Sequence, residues 1–327
     1  MEHSKRSVIL LTILFALSLV AGIYLVISST SAKSSPLSGG GVTPHAMNTV
    51  AVIEIDSAIM FGGRSGNPLS SPASPQAWIS QMKSLEDDPN VPAVILRINS
   101  PGGTVAATQE IYNAVLRLKE KGKKIVVSMG DIAASGGYYI ACAADHIVAN
   151  PGTLTGSIGV IMSGMDLSGI FKKYGIGYNV IKSGKYKDSM AFYREMTPDE
   201  KQLLQSVIMD SYGQFFEAVM KGRSMEPKKL EKLADGRIFT GKQAMEAGLV
   251  DSLGDMEFSV GKAAELAGIT GKPNVVYMKN NMNDLFGMLS SFMESIAGQK
   301  TSISLVPANN GIGIENSMTP IYYLYLQ

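Results

Sequence analysis

Two short stretches of this chain place small residues around groups that could carry out acyl transfer. The first is Gly130-Asp131-Ile132-Ala133-Ala134-Ser135-Gly136-Gly137-Tyr138-Tyr139. A hydrophobic run ends there and a helical pattern begins, with Ser135 at the junction. Its neighbours Ala133, Ala134, Gly136 and Gly137 leave room for a substrate to approach. A hydroxyl on such a turn follows the logic of a nucleophile elbow, although Ala-Ser-Gly-Gly is not G-x-S-x-G. The bland alternative is a serine N-cap of a short helix. The second stretch, Asn99-Ser100-Pro101-Gly102-Gly103-Thr104, also joins a strand pattern to a helix pattern. Its glycines can turn sharply and expose N–H groups near a helix start, where an oxyanion would be held. An ordinary strand-to-helix turn would look the same.

A serine nucleophile needs a base. The three histidines are His3, His45 and His146. His3 precedes an apolar segment and His45 lies in a Ser/Gly/Pro-rich stretch. His146 is one short helix away from Ser135, on a path leading from that end of the sheet. A lysine is therefore the better candidate, because Ser-Lys pairs run the same chemistry. Such a lysine must be able to lose its proton. The stretch Ile181-Lys182-Ser183-Gly184-Lys185-Tyr186-Lys187-Asp188 holds three lysines. Spacing alone does not choose among Lys182, Lys185 and Lys187, and each could equally be a solvated loop residue.

The elements that must position these groups alternate. Strands are expected at Thr49–Ile55, Ala93–Ile98, Lys124–Met129, His146–Ala149 and Tyr178–Ile181, as β-branched runs bounded by turn residues. Helical spacing is expected over Thr104–Lys121, Ser135–Ala144 and Thr197–Met225, the last opening on a T-P-D-E cap. This alternation implies α/β architecture with a mostly parallel sheet. Beyond Pro273 the pattern weakens. Residues 281–297 fit an amphipathic helix, and 298–327 read as a poorly ordered tail with an apolar end.

Composition narrows the function. Twenty-nine basic against 28 acidic residues, a net charge of +1, speak against nucleic-acid binding. The single cysteine, Cys142, excludes an intramolecular disulfide and a cysteine-based zinc site. No metal or cofactor is expected. Residues 8–28 are uncharged and apolar, long enough to span a bilayer. Lys5 and Arg6 precede them, so residues 1–7 are expected in the cytoplasm and the remainder on the extracytoplasmic face of the cell membrane. Residues 29–47 read as a flexible linker, 48–273 as the catalytic domain, and 274–327 as a C-terminal helix and tail.

Together, N-S-P-G-G after a strand, D-x-A-A-S-G-G-Y-Y-I-A, T-G-S-I-G-V, K-x-G-x-Y-K-D and G-R-I-F-T-G-K-Q-A-M-E-A-G-L-V-D resemble the signal peptide peptidase A family. The resemblance runs over about residues 49–270, in the family's order. It implies a serine protease with the fold shared by caseinolytic protease and crotonase. Matched position by position, it implies Ser135 as nucleophile, Lys187 as general base and Ser157 as the hydroxyl orienting the lysine. It implies Gly102 and Gly136 as oxyanion donors. The expected partners are apolar peptides such as remnant signal peptides, the lipid bilayer, and further copies of the chain. In two-domain relatives serine and lysine come from different halves, so this shorter chain is expected to form a ring with active sites at protomer interfaces. The apolar tail is expected to enter such a site and be trimmed there. A crotonase-like acyl-CoA enzyme and a membrane-tethered scaffold without activity are the alternatives.

Overall fold

The computed structural model describes residues 48–62 and 74–278 and the backbone of 322–324. The expected membrane span, the linker and the helix at 281–297 lie outside the described residues. Among those described, no helix is long and apolar enough to cross a membrane.

A sheet of eight strands forms the centre. Strands β1 (Thr49–Ile55), β2 (Ala93–Ser100) and β4 (Lys124–Ala134) run parallel through its middle. β4 then forks: Val126–Ser128 pairs with β5 (His146–Ala149) and Ile132–Ala134 with β6 (Leu154–Gly156). Strand β7 (Ile238–Thr240) closes one side, antiparallel to β6. β8 (Ser252–Leu253) pairs with β5, and β9 (Asn274–Tyr277) forms the far edge beside β1. The sheet thus continues past Pro273, where the sequence pattern had weakened. A short strand, β3 (Gly102–Thr104), lies apart from it and pairs with β10 (Tyr322–Leu324). The rest of the C-terminal tail lies outside the described residues.

Both sheet faces are covered, as a parallel sheet requires. Alternation along β2 divides its side chains. Val94, Leu96 and Ile98 join one core with Trp78, Met82, Ile111 and Leu118. Those residues come from α1 (Pro75–Leu85) and α2 (Val105–Glu120). Ala93 and Ile95 face the other way and join Val50, Val126 and Ala263. The short helix α3 (Gly136–Ala141) is fully buried.

Two departures from the sequence reading bear on the site. β4 runs on to Ala134 instead of stopping at Met129. Its pairing with β2 slips between Ile98 and Ser100, so residues Gly130–Ile132 bulge. A bulge bends the strand and re-aims its end. The Asn99 side chain secures the bend by accepting from the Ile132 amide at 3.2 Å. Second, Tyr178–Ile181 forms no strand. No sheet edge meets it; the Tyr178 ring stacks on Tyr193 at 4.3 Å instead, and Ile181 is fully exposed.

Candidate active site

Ser135 sits where the re-aimed β4 meets α3, and its backbone is unusual. At φ 52° and ψ −116° it occupies a region that L-residues avoid. The surroundings enforce it. Ala134 pairs with Gly156, the Ser135 amide donates to the Gly156 carbonyl at 2.8 Å, and the Tyr139 amide donates to the Ser135 carbonyl at 2.8 Å. Strain held from both sides places the side chain of a non-glycine residue at the mouth of a strand–helix turn, the geometry of a nucleophile elbow.

Glycines surround the serine because space is lacking. A Cβ on Gly136 would lie 2.6 Å from Thr108 Oγ1 and 3.1 Å from the Gly103 nitrogen. A Cβ on Gly103 would lie 1.8 Å from the Ile59 carbonyl oxygen. The two loops singled out from sequence therefore touch through backbone. Thr108 itself, absent from the sequence reading, is buried with its hydroxyl unpartnered beside Gly136. Its place at the first turn of α2 gave no local signal.

Gly102 has positive φ, 104°. Its amide donates to Ser100 Oγ at 3.2 Å, while Ser100 Oγ donates to the Ser57 carbonyl at 2.6 Å. The Gly102 N–H is thus used within its own turn. Gly102 O accepts from Ile59 N, and Thr104 N donates to Ile59 O. Alternation along the strand then turns the Gly103 N–H to the opposite edge, on the Gly136 side. The Gly103 nitrogen thus lies close to Gly136.

Ser157 follows Gly156 as Ser135 follows the paired Ala134, so adjacent strand ends bring the two serines side by side. Ser157 also has positive φ, 51°, and is buried. Its amide donates to the Arg237 carbonyl at 2.8 Å.

The lysines lie elsewhere, in a segment spanning residues 161–197 with its own small helix, α4 (Ser168–Tyr174). Lys182 pairs with Asp188 and Lys185 with Asp199, each at 2.5 Å. Lys187 is exposed, and its side chain joins no hydrogen bond or ion pair among the described residues. The structure brings together Ser135, Ser157, Gly103 and Gly136, and it joins Lys187 to none of them by a hydrogen bond. The segment is held at its base by Arg194, which bonds Asp188 Oδ1 at 2.6 Å and Glu200 Oε1 at 2.5 Å. The guanidinium keeps the Asp188 carboxyl well below its usual range and lowers that of Glu200 to about 2.

Two other residues drop out as reacting groups. His146 pairs with Val126, nine residues before Ser135, which puts it roughly 25–30 Å away at ordinary strand rise. Burial lowers its pKa, and its Nε2 lies 2.9 Å from Ser252 Oγ. Burial pushes the Cys142 thiol up to about 12 and so keeps it unreactive. Among the described residues, no group of His, Cys, Asp and Glu could hold a metal ion.

Known proteins are similar to this chain. The family model of peptidase family S49 matches residues 117–270, and that of Clp protease matches 56–152. A putative protease of Synechocystis is 48% identical over 67% of this chain and 75% of its own. A putative signal peptide peptidase SppA of Enterococcus faecium is 34% identical over 76% of this chain and 73% of its own. The chain belongs to peptidase family S49. It is a serine protease with a mixed α/β, Clp protease-like fold. Protease 4 of Salmonella typhi is also similar, 37% identical, but there 67% of this chain answers to only 35% of the relative.

Proposed function

We propose that this S49 peptidase is a membrane-anchored endopeptidase that cuts apolar, extended peptides, remnant signal peptides foremost, with a Ser135/Lys187 dyad. Ser135 Oγ attacks the peptide carbonyl and Lys187 takes its proton. The Gly103 and Gly136 amides hold the oxyanion. The leaving amine receives the proton, and water then hydrolyses the acyl-enzyme. Ser157 orients the lysine by accepting a hydrogen bond from its amine. The observation that carries this reading is Ser135 itself: a strained, buried serine at a strand–helix turn, flanked by two glycine amides.

Lys187 is preferred as the base because its two neighbours are already neutralised in ion pairs. Its place on an exposed segment supports assembly. Met165, Ile170, Tyr174, Ile176 and Ile181 of that segment are all more than half exposed. Apolar surface of this kind marks a contact between macromolecules. We assign it to a neighbouring copy of the chain, with Lys187 of one protomer reaching Ser135 of the next in a closed ring. The short match to the much longer Protease 4 fits this, one long chain replacing two short ones. The apolar segment at 8–28 would tether the ring with its catalytic domains on the extracytoplasmic face.

The test is turnover of a released signal peptide by the full chain, together with labelling by a fluorophosphonate. Ser135→Ala and Lys187→Ala should each lose about 10³-fold or more, and the double variant little further, because the pair acts as a unit. Ser157→Ala should lower kcat by about 10–100-fold with the fold intact. Lys185→Ala should stay active. An active Ser135→Ala variant would end the proposal. A dead Lys185→Ala beside an active Lys187→Ala would move the base.

A further inference from the structure

Strand β4 does not arrive at Ser135 by regular pairing with β2. Ile98 pairs with Met129 but Ser100 pairs with Ala133, so two steps along β2 answer to four along β4. At ordinary strand rise, straightening those two extra residues into the ladder would move the end of β4 by about 7 Å. The bulge therefore decides where Ser135 stands. It also withdraws main-chain groups from the β2 ladder, and a buried group left unpaired is costly.

Side chains from two directions take up those groups. From β2, Arg97 Nη1 donates to the Met129 carbonyl at 3.0 Å, and Asn99 Oδ1 accepts from the Ile132 amide at 3.2 Å. From the turn before β6, the buried Thr153 donates through Oγ1 to the Gly130 carbonyl at 2.7 Å. The same hydroxyl accepts from the Asn150 amide at 3.2 Å, which fixes its direction. Two residues on, Thr155 Oγ1 donates to the Ala133 carbonyl at 2.7 Å. Gly130 is small for want of space. A Cβ there would lie 2.8 Å from Asn99 Oδ1 and 2.9 Å from Asn99 Cβ, and its φ is not positive.

We propose that Asn99 and Thr153 are positioning residues for the nucleophile. Gripping the bulge from opposite sides, they set the reach and direction of β4. The pairing of Ala133 and Ala134 with Thr155 and Gly156 carries that setting on to the strained backbone of Ser135. The inference rests on the Ser135 protease reading above. Each side chain acts through one hydrogen bond to the β4 backbone. A replacement of the same shape that loses the bond should therefore do more harm than one that keeps it.

Steady-state cleavage of an apolar peptide by the full chain tests this, together with the rate of fluorophosphonate labelling. Asn99→Leu and Thr153→Val keep the shape and lose the bond to Ile132 or Gly130. Each should lower kcat by about 10–100-fold with KM changed less than about 2-fold, as a displaced nucleophile requires. Labelling should slow by the same factor. Asn99→Asp keeps the acceptor and Thr153→Ser keeps the donor, so each should recover most of the loss. Should an apolar variant fail to fold, read as lost amide protection in β2, Gly130→Ala stands in for it. That variant retains both side chains but drives a Cβ into Asn99, and it should show the same fall in kcat at constant KM. Three results overturn the inference: wild-type kcat in the apolar variants or in Gly130→Ala, a loss carried by KM, or no recovery in Asn99→Asp and Thr153→Ser. With Ser135→Ala inactive, the protease reading survives any of these. An active Ser135→Ala removes both.

Discussion

The junction that carries Ser135 is held from every side, whereas the segment that carries Lys187 leaves much of its apolar surface in water. Around Ser135 the backbone is fixed by β6, by the first turn of α3 and by the packed glycine loops, and the side chains of α3 are all buried. Between residues 161 and 197 the order comes from local devices. These are a cluster of Phe171, Tyr178, Phe192 and Tyr193 and the ion pairs of Arg194. The helix α4 buries none of its residues. One region is enclosed within a single chain; the other has an exposed apolar face. Under the proposed dyad, a catalytic pair divided in this way would gain its full geometry only on assembly, and activity would be linked to association.

The largest effect that would break this comparison comes from mixing. Ser135→Ala and Lys187→Ala protomers, each inactive, should recover measurable turnover after subunit exchange, because a mixed contact unites one intact serine with one intact lysine. Verified mixing without recovery would place both groups in one protomer. A smaller effect should follow from loosening only the segment. Arg194→Met leaves the nearly buried Glu200 without its cation and Asp188 with Lys182 alone, a local cost of about 3–5 kcal/mol. Amide hydrogen exchange should quicken across 161–197 and kcat/KM should fall, while the protection of β2 and β4 holds. Equal loosening of the central strands would show the two regions to be one cooperative unit. The smallest effect is in acid. Glu200 is depressed from its ordinary 4.5 to about 2 by Arg194. Its stabilisation is therefore present above about pH 4.5 and is lost as pH falls towards 2. Segment order should decline in that window, read by exchange or by tyrosine fluorescence. Arg194→Met should weaken this pH dependence, leaving only the part due to the Thr197 hydrogen bonds.

Much of the serine side was legible in the sequence. The β-branched runs at Thr49, Ala93 and Lys124 became the sheet centre, and the T-P-D-E start of the long helix became a reciprocal cap between Thr197 and Glu200 in α5 (Pro198–Gly222). Small residues around Ser135 suggest room for a substrate, and Cβ positions at Gly103 and Gly136 show that they also serve close backbone packing. Other features were hidden because they depend on partners distant in sequence. Tyr178–Ile181 has the composition of a strand but meets no edge. The strand at Tyr322–Leu324 exists only because β3 offers one. That Ser100 engages the Gly102 amide was invisible in a Gly-Gly pair.

The sequence by itself determined the kinds of groups present and their order along the chain. It supplied a serine among small residues, glycines at strand–helix turns, three lysines in one loop and a lack of suitable histidines. Local physics suffices for that, because turns, caps and apolar periodicity act over a few residues. Tertiary structure decided which of those groups meet. The bulge in β4, the pairing of Ala134 with Gly156, and Ile59 occupying one edge of β3 set the strain on Ser135 and the direction of the Gly103 amide. Such choices rest on contacts between residues tens to hundreds of positions apart, where the packing of the whole sheet, rather than any local pattern, selects the geometry.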